Sequence, residues 1–206
     1  VKQLESNVLV VIDNFLDTKG DVYKKVTSEE AWADWDKTET DTCWMDRDET
    51  PPNIFAEVGV KIWEYASNYT PVDYDGIEYW YKQTGAGARK DLPRHKDKDE
   101  AVWLKTDRFE HPFIGSIYYC HKEVPTGGFL QIERGMSREL ERIQPVPNRL
   151  ILFDSSNWHS VSEVRHGTRR HLATNIWIKK PDSDNFCVDA FKVLKGKSDI
   201  SDRYDN

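Results

Sequence analysis

Ser116-Ile117-Tyr118-Tyr119, a break at Pro125-Thr126-Gly127-Gly128, then Phe129-Leu130-Gln131-Ile132-Glu133: this is the stretch that decides the fold. Two short runs of β-branched and aromatic residues flank a proline and paired glycines, the pattern of antiparallel strands joined by a turn. The pattern recurs on both sides. Segments 76–83, 94–98, 113–121, 129–133, 150–153, 159–164 and 169–179 read as strands, with breaks at 85–87, 125–128 and 145–148.

Upstream the character differs. Val8-Leu9-Val10-Val11-Ile12 reads as a buried strand. Segment 21–37 carries Val22, Tyr23, Val26, Trp32 and Trp35 in a broken amphipathic pattern, and 38–52 is a polar stretch ending in Pro51-Pro52. Asn53 then stands where a helix cap belongs, ahead of Ile54, Phe55, Val58, Ile62 and Trp63 at helical spacing. Helices first and many short strands after them predict a mostly β, α+β architecture: a helix-buttressed sandwich or jelly roll. The expected organisation is one domain over 1–195, with a helical part at about 17–68 and a β core at about 72–180. Residues 196–206 lack apolar periodicity and read as a flexible tail.

Composition narrows the function classes. The 29 Lys+Arg against 36 Asp+Glu leave a formal charge of −7, which argues against broad nucleic-acid binding. No run approaches the roughly 20 apolar residues of a membrane span, and 8–12 is too short for a signal peptide. Cys43, Cys120 and Cys187 are odd in number, far apart and form no CxxC pair, so a reducing, cytoplasmic setting is the expectation.

His95-Lys96-Asp97 offers two ligand-type side chains at i and i+2, which share a face on a strand. A third ligand from another strand, with His159 as the candidate, completes a two-His, one-carboxylate facial triad suited to Fe(II). The second such spacing, His121-Lys122-Glu123, runs into the Pro125–Gly128 turn and reads as an exposed loop histidine.

Taken in order, these segments resemble the Fe(II)/2-oxoglutarate-dependent dioxygenases, in particular the prolyl 4-hydroxylase-like branch. Tyr79-Trp80-Tyr81-Lys82-Gln83-Thr84-Gly85 leading to His95-Lys96-Asp97 is similar to that branch's Tyr-x-x-Gly…His-x-Asp run, with a longer spacer. Ser116-Ile117-Tyr118-Tyr119 and Gly127-Gly128-Phe129-Leu130-Gln131-Ile132 resemble its Ile-Tyr-Tyr…Gly-Gly-x-Leu-x-Ile hairpin. Asn148-Arg149-Leu150-Ile151-Leu152-Phe153 with Trp158-His159-Ser160-Val161 resembles the strand before the second His. Gly167-Thr168-Arg169…Leu172…Trp177 resembles the closing Gly-x-Arg strand, with Trp177 two residues later than in the family.

The resemblance implies a double-stranded β-helix (jelly-roll, cupin-like) core. It also implies Fe(II), 2-oxoglutarate as co-substrate and O2, with ascorbate as a supporting reductant. It assigns iron to His95, Asp97 and His159, and the distal 2-oxoglutarate carboxylate to Arg169, with Arg170 as rival. Tyr81 and Tyr119 become co-substrate contacts, Leu130 an apolar wall, and Trp177 an inward residue on the Arg169 face. His171 shares that face and reads as a core or rim histidine. The implied activity is hydroxylation of an unactivated C–H, with prolyl residues of a peptide or protein leading and a free amino acid or other small molecule as the alternative. A non-catalytic jelly-roll binding module is the alternative of another class. Trp103 and the loops at 38–53 and 100–112 are the candidate substrate-facing regions.

Overall fold

The computed structural model describes residues 8–33, 42–68, 73–86, 92–134 and 139–183. Trp35, Cys187 and the expected tail lie outside them. Strands are β1 (Leu9–Ile12), β2 (Cys43–Asp46), β3 (Gly76–Gly85), β4 (Leu92–His95), β5 (Ile114–Tyr119) and β6 (Thr126–Gly127). They continue with β7 (Leu130–Arg134), β8 (Glu139–Ile143), β9 (Leu150–Phe153), β10 (His159–Val161), β11 (Val164–His166) and β12 (Thr168–Trp177). The helices are α1 (Asp21–Val26), α2 (Ile54–Ser67) and α3 (Glu100–Thr106), with a 3-10 turn at Glu30–Trp32. No helix among the described residues is long and apolar enough to cross a membrane.

All pairings are antiparallel. A larger sheet runs β1-β9-β5-β12-β3-β2, a smaller one runs β4-β10-β7-β8, and β11 pairs with β6. Two facing sheets with helices on the outer face of the larger one form the helix-buttressed jelly roll that the strand pattern predicts, the double-stranded β-helix that the resemblance implies.

Two cores follow from the two-residue period of the strands. Tyr79, Tyr118, Leu150, Leu152, Leu172 and Ile176 face α2 and pack on Phe55, Val58 and Ile62. The alternate set, including Tyr119, Ile151, Phe153 and Ala173, faces the smaller sheet's Leu130, Ile132 and Val161. Asn53 caps α2 through Oδ1, which accepts from the amides of Phe55 (3.0 Å) and Ala56 (2.9 Å).

Where apolar periodicity was weak, the elements differ from expectation. β8 reads Glu-Leu-Glu-Arg-Ile and is mostly exposed; its backbone partner β7 makes it a strand, rather than burial. β2 lies in the stretch read as polar loop, and α3 in the one read as a substrate loop. Asp99, buried, caps α3 by accepting from Ala101 (2.9 Å) and Val102 (3.1 Å). Segment 21–37 breaks at Thr27 into α1 and the 3-10 turn.

Asn148 ties the entry segment to the sheet. Its φ of 58° is left-handed, a conformation asparagine tolerates. Its side chain accepts from the Leu16 amide (2.9 Å) and the Tyr118 hydroxyl (2.9 Å) and donates to the Leu16 carbonyl (2.8 Å). Asn148→Ala leaves three buried groups unpaired and strains the backbone, so equilibrium urea unfolding should show a loss of about 3 kcal/mol. Cys120 is fully buried and its thiol is pushed far up by desolvation, so it should resist thiol reagents until the chain unfolds.

Candidate metal centre and anion pocket

Adjacent strands bring the two histidines together. His159 on β10 lies directly across from His95 at the end of β4, so both side chains leave the same face, with ring centroids 4.2 Å apart. β4 ends at His95, and Asp97 reaches the pair from the extended segment behind it rather than from the strand expected there. Its Oδ1 stands 3.6 Å from Nε2 of both His95 and His159. Donors at right angles around one ion, each about 2.1 Å from it, stand about 3 Å apart, so small rotations suffice for the set to close on a divalent cation.

The tautomers suit that role. Nδ1 of His95 donates to the Pro93 carbonyl (2.8 Å) and Nδ1 of His159 to the Asn157 carbonyl (3.0 Å). Both Nε2 atoms therefore face Asp97 and the space beside it. Burial alone would raise the Asp97 carboxyl, but charge and hydrogen bonds from His159 and His95 hold it well below the usual carboxylate range. His159 moves up in turn, Asp97 outweighing its desolvation. His111 donates to the Asp97 carbonyl (2.6 Å) and pins the backbone that carries the carboxylate. Sequence reasoning passed over His111, which has no ligand spacing to His95 or His159.

From this cluster a cavity of about 560 Å³ runs between the sheets, with Leu130 and Phe153 on its apolar wall and Arg169 and His171 on β12. Arg169 is 2% exposed, and its Nε and Nη2 have no hydrogen-bond partner. Its guanidinium lies 5.3 Å from the centroid of the Tyr119 ring, whose buried hydroxyl also lacks a partner. Burial pushes that phenol up against the opposing Arg169 charge, keeping it a neutral donor. Gly128 has a φ of 67°, and a Cβ there would come within 2.9 Å of Arg169 Cδ, so glycine leaves room for the arginine. Arg170 points the other way, onto Gln83 and Glu29 and over Trp32.

Several expectations need correction. Tyr81 faces α2, stacked on Phe55 with ring centroids 3.7 Å apart, because its neighbours Trp80 and Lys82 take the cavity side of β3. Trp177 shares the Arg169 face but lies eight residues along the strand, about 26 Å away at 3.3 Å per residue. It donates there to Glu78 (3.1 Å), away from the cavity lining. His121 is buried, not exposed: Nε2 donates to the Pro145 carbonyl (3.1 Å) and Nδ1 accepts from the Arg170 amide (3.4 Å). Trp103 lies on α3 against Phe109 and Lys98.

Comparison with known proteins now adds the family. The model of the 2OG-Fe(II) oxygenase superfamily matches residues 79–179, the span from the middle of the first long strand to just past the last. This part of the chain belongs to that superfamily. A PKHD-type hydroxylase of Klebsiella pneumoniae (strain 342) is 30% identical over 86 residues, which are 42% of this chain and 34% of that protein. The chain thus aligns with about a third of that relative. Among solved structures, a Pseudomonas putida prolyl-4-hydroxylase superposes with a TM-score of 0.60 at 15% identity, covering 85% of this chain and 90% of that one. A Trichoplax adhaerens prolyl hydroxylase, in complex with a hypoxia inducible factor oxygen degradation domain peptide fragment, gives 0.60 at 16% identity, covering 85% and 86%. At these identities the likeness is one of fold.

If the cluster is a metal centre, Asp97→Ala should weaken Mn(II) binding by at least about a hundredfold in a calorimetric titration, with near-UV circular dichroism unchanged.

Proposed function

We propose that this protein is an Fe(II)- and 2-oxoglutarate-dependent hydroxylase whose substrate is a prolyl residue of a peptide or protein. One observation carries the reading: a buried arginine with two unpartnered donors lines the same cavity as a two-His, one-carboxylate cluster. A guanidinium buried without an anion is costly, and a carboxylate on it offsets that cost. A ligand with a metal-chelating end and a distal carboxylate suits both ends of the cavity, and 2-oxoglutarate is such a molecule.

His95, Asp97 and His159 would hold the iron. When bound, iron with 2-oxoglutarate and O2 supplies the oxidising chemistry: one oxygen atom enters the succinate formed with CO2, the other the substrate C–H. Arg169 receives the distal carboxylate and Tyr119 donates a hydrogen bond beside it. Leu130 and Phe153 keep water from the space between. His95 is the most exposed of the triad, with about a third of its side chain open, so the substrate carbon approaches from its side. A peptide is favoured because the Trichoplax relative carries one, and because its fold matches this chain over most of both lengths.

The test is incubation with Fe(II), 2-oxoglutarate and O2 against a panel of proline-containing peptides. Succinate should form in step with a one-oxygen mass gain on a prolyl residue. Oxygen gain on free amino acids alone would move the substrate to small molecules, and no succinate at all would contradict the reading. Arg169→Ala should raise the 2-oxoglutarate KM on the order of fiftyfold, the loss of a buried charge-assisted pair. Arg170→Ala and Tyr81→Phe should leave it within about twofold, since both side chains lie on the helix side of the sheet.

A further inference from the structure

Arg169 has three nitrogen donors, and one of them is taken. Its Nη1 donates to Nδ1 of His171 at 2.8 Å, two residues along the same face of β12. The nitrogens left without partners are Nε and Nη2, the pair that forms one side of the guanidinium fork. The same edge elsewhere in this chain shows what it does: Arg94 uses Nε and Nη2 to hold both oxygens of Glu133, at 2.5 and 2.8 Å.

Resting on the reading of the cavity as a 2-oxoglutarate site, we propose that His171 is a positioning residue for the co-substrate anchor. Its unprotonated Nδ1 accepts from Arg169 Nη1 and sets the roll of the guanidinium so that the Nε–Nη2 edge receives the distal carboxylate. Three further observations agree. His171 lines the cavity and is 7% exposed, so water does not compete for the bond. Burial, then the Arg169 charge, hold its imidazole well below its ordinary value, which keeps the Nδ1 lone pair free. The Lys82 backbone is its other hydrogen-bond partner, so the ring is held from two sides.

Without the acceptor, Nη1 joins the unpartnered donors and the guanidinium is free to turn about its Cδ–Nε bond. The carboxylate then meets either of two edges, Nε–Nη2 or Nη1–Nη2, and the cost falls on ligands that have a distal carboxylate. Ligands that reach only the metal are unaffected. This separates positioning from general damage to the cavity.

The experiment uses the full chain loaded with Mn(II) and two probes, followed by calorimetry. N-oxalylglycine keeps the distal carboxylate of 2-oxoglutarate; oxalate chelates the metal without it. His171→Leu should weaken N-oxalylglycine about tenfold, the size expected for one hydrogen bond to a charged group, and oxalate by less than about twofold. His171→Asn, whose Oδ1 stands near the Nδ1 position, should restore N-oxalylglycine to within about threefold of wild type. Wild-type affinity in the leucine variant would overturn the proposal, as would equal losses in the leucine and asparagine variants, or equal losses for both probes. If the leucine variant does not fold, His171→Gln takes its place, since its amide reaches the Nε2 position and leaves Nδ1 empty. Arg169→Ala separates the two levels. N-oxalylglycine binding unchanged in that variant would defeat the 2-oxoglutarate reading itself; binding lost there but kept in His171→Leu would defeat only the role of His171.

Discussion

The arrangement depends on the pairing of β12 along both edges. It meets β3 over the whole of Thr168–Trp177 and β5 over His171–Ile176, so its two-residue alternation cannot slip by one without breaking both ladders. That constraint sends Arg169 and His171 into the space between the sheets, and Arg170 and Leu172 toward the helices. A slip of one residue would turn Leu172 into the cavity and Arg169 onto the helix side of the sheet. On the other wall, the pairing of β10 with β4 does the equivalent work by setting His159 across from His95. The two walls meet over a cavity with Arg169 at one end and the His95, Asp97 and His159 cluster at the other.

Electrostatics gives this geometry its chemical sense. The chain is acidic overall, yet its one fully enclosed arginine on the cavity wall has no carboxylate beside it among the described residues. Several other arginines are paired: Arg149 with Asp13, Arg94 with Glu133, Arg170 with Glu29. Leaving Arg169 unpaired costs stability in the ligand-free protein, and that cost becomes affinity when an anion arrives. Asp97 is the opposite case. Charge and hydrogen bonds from His159 and His95 hold its carboxyl below the usual carboxylate range against its desolvation.

Much of this was legible in the sequence, and the residues that were not fail for identifiable reasons. The strand at Leu150–Phe153 was read to the residue because it is wholly apolar, and the start of α2 because Asn53 caps a clear helical period. The resemblance singled out Arg169 over its rival Arg170, and alternation put the two on opposite faces; Arg169 lines the cavity and Arg170 turns to Gln83 and Glu29. Tyr81 became a co-substrate contact through the resemblance, yet it packs on Phe55; Tyr79-Trp80-Tyr81 is aromatic on both sides of β3, so the residues themselves do not reveal the inward set. β8 and β2 carry no burial pattern of their own and exist through their neighbours. His121 was read as exposed from the turn that follows it, yet its ring is used by the backbone of Pro145 and Arg170, distant in sequence. His111 contacts Asp97 from 14 residues away, which no local motif encodes.

The central claim is that one cavity chelates a metal and a 2-oxo acid together. The most direct measurement is an anaerobic titration of the purified protein with Fe(II) and 2-oxoglutarate, followed by visible absorption. The account predicts a saturable charge-transfer band that requires both additions and is missing with either alone. A folded protein that takes up Fe(II) and develops no such band at saturating 2-oxoglutarate would contradict it.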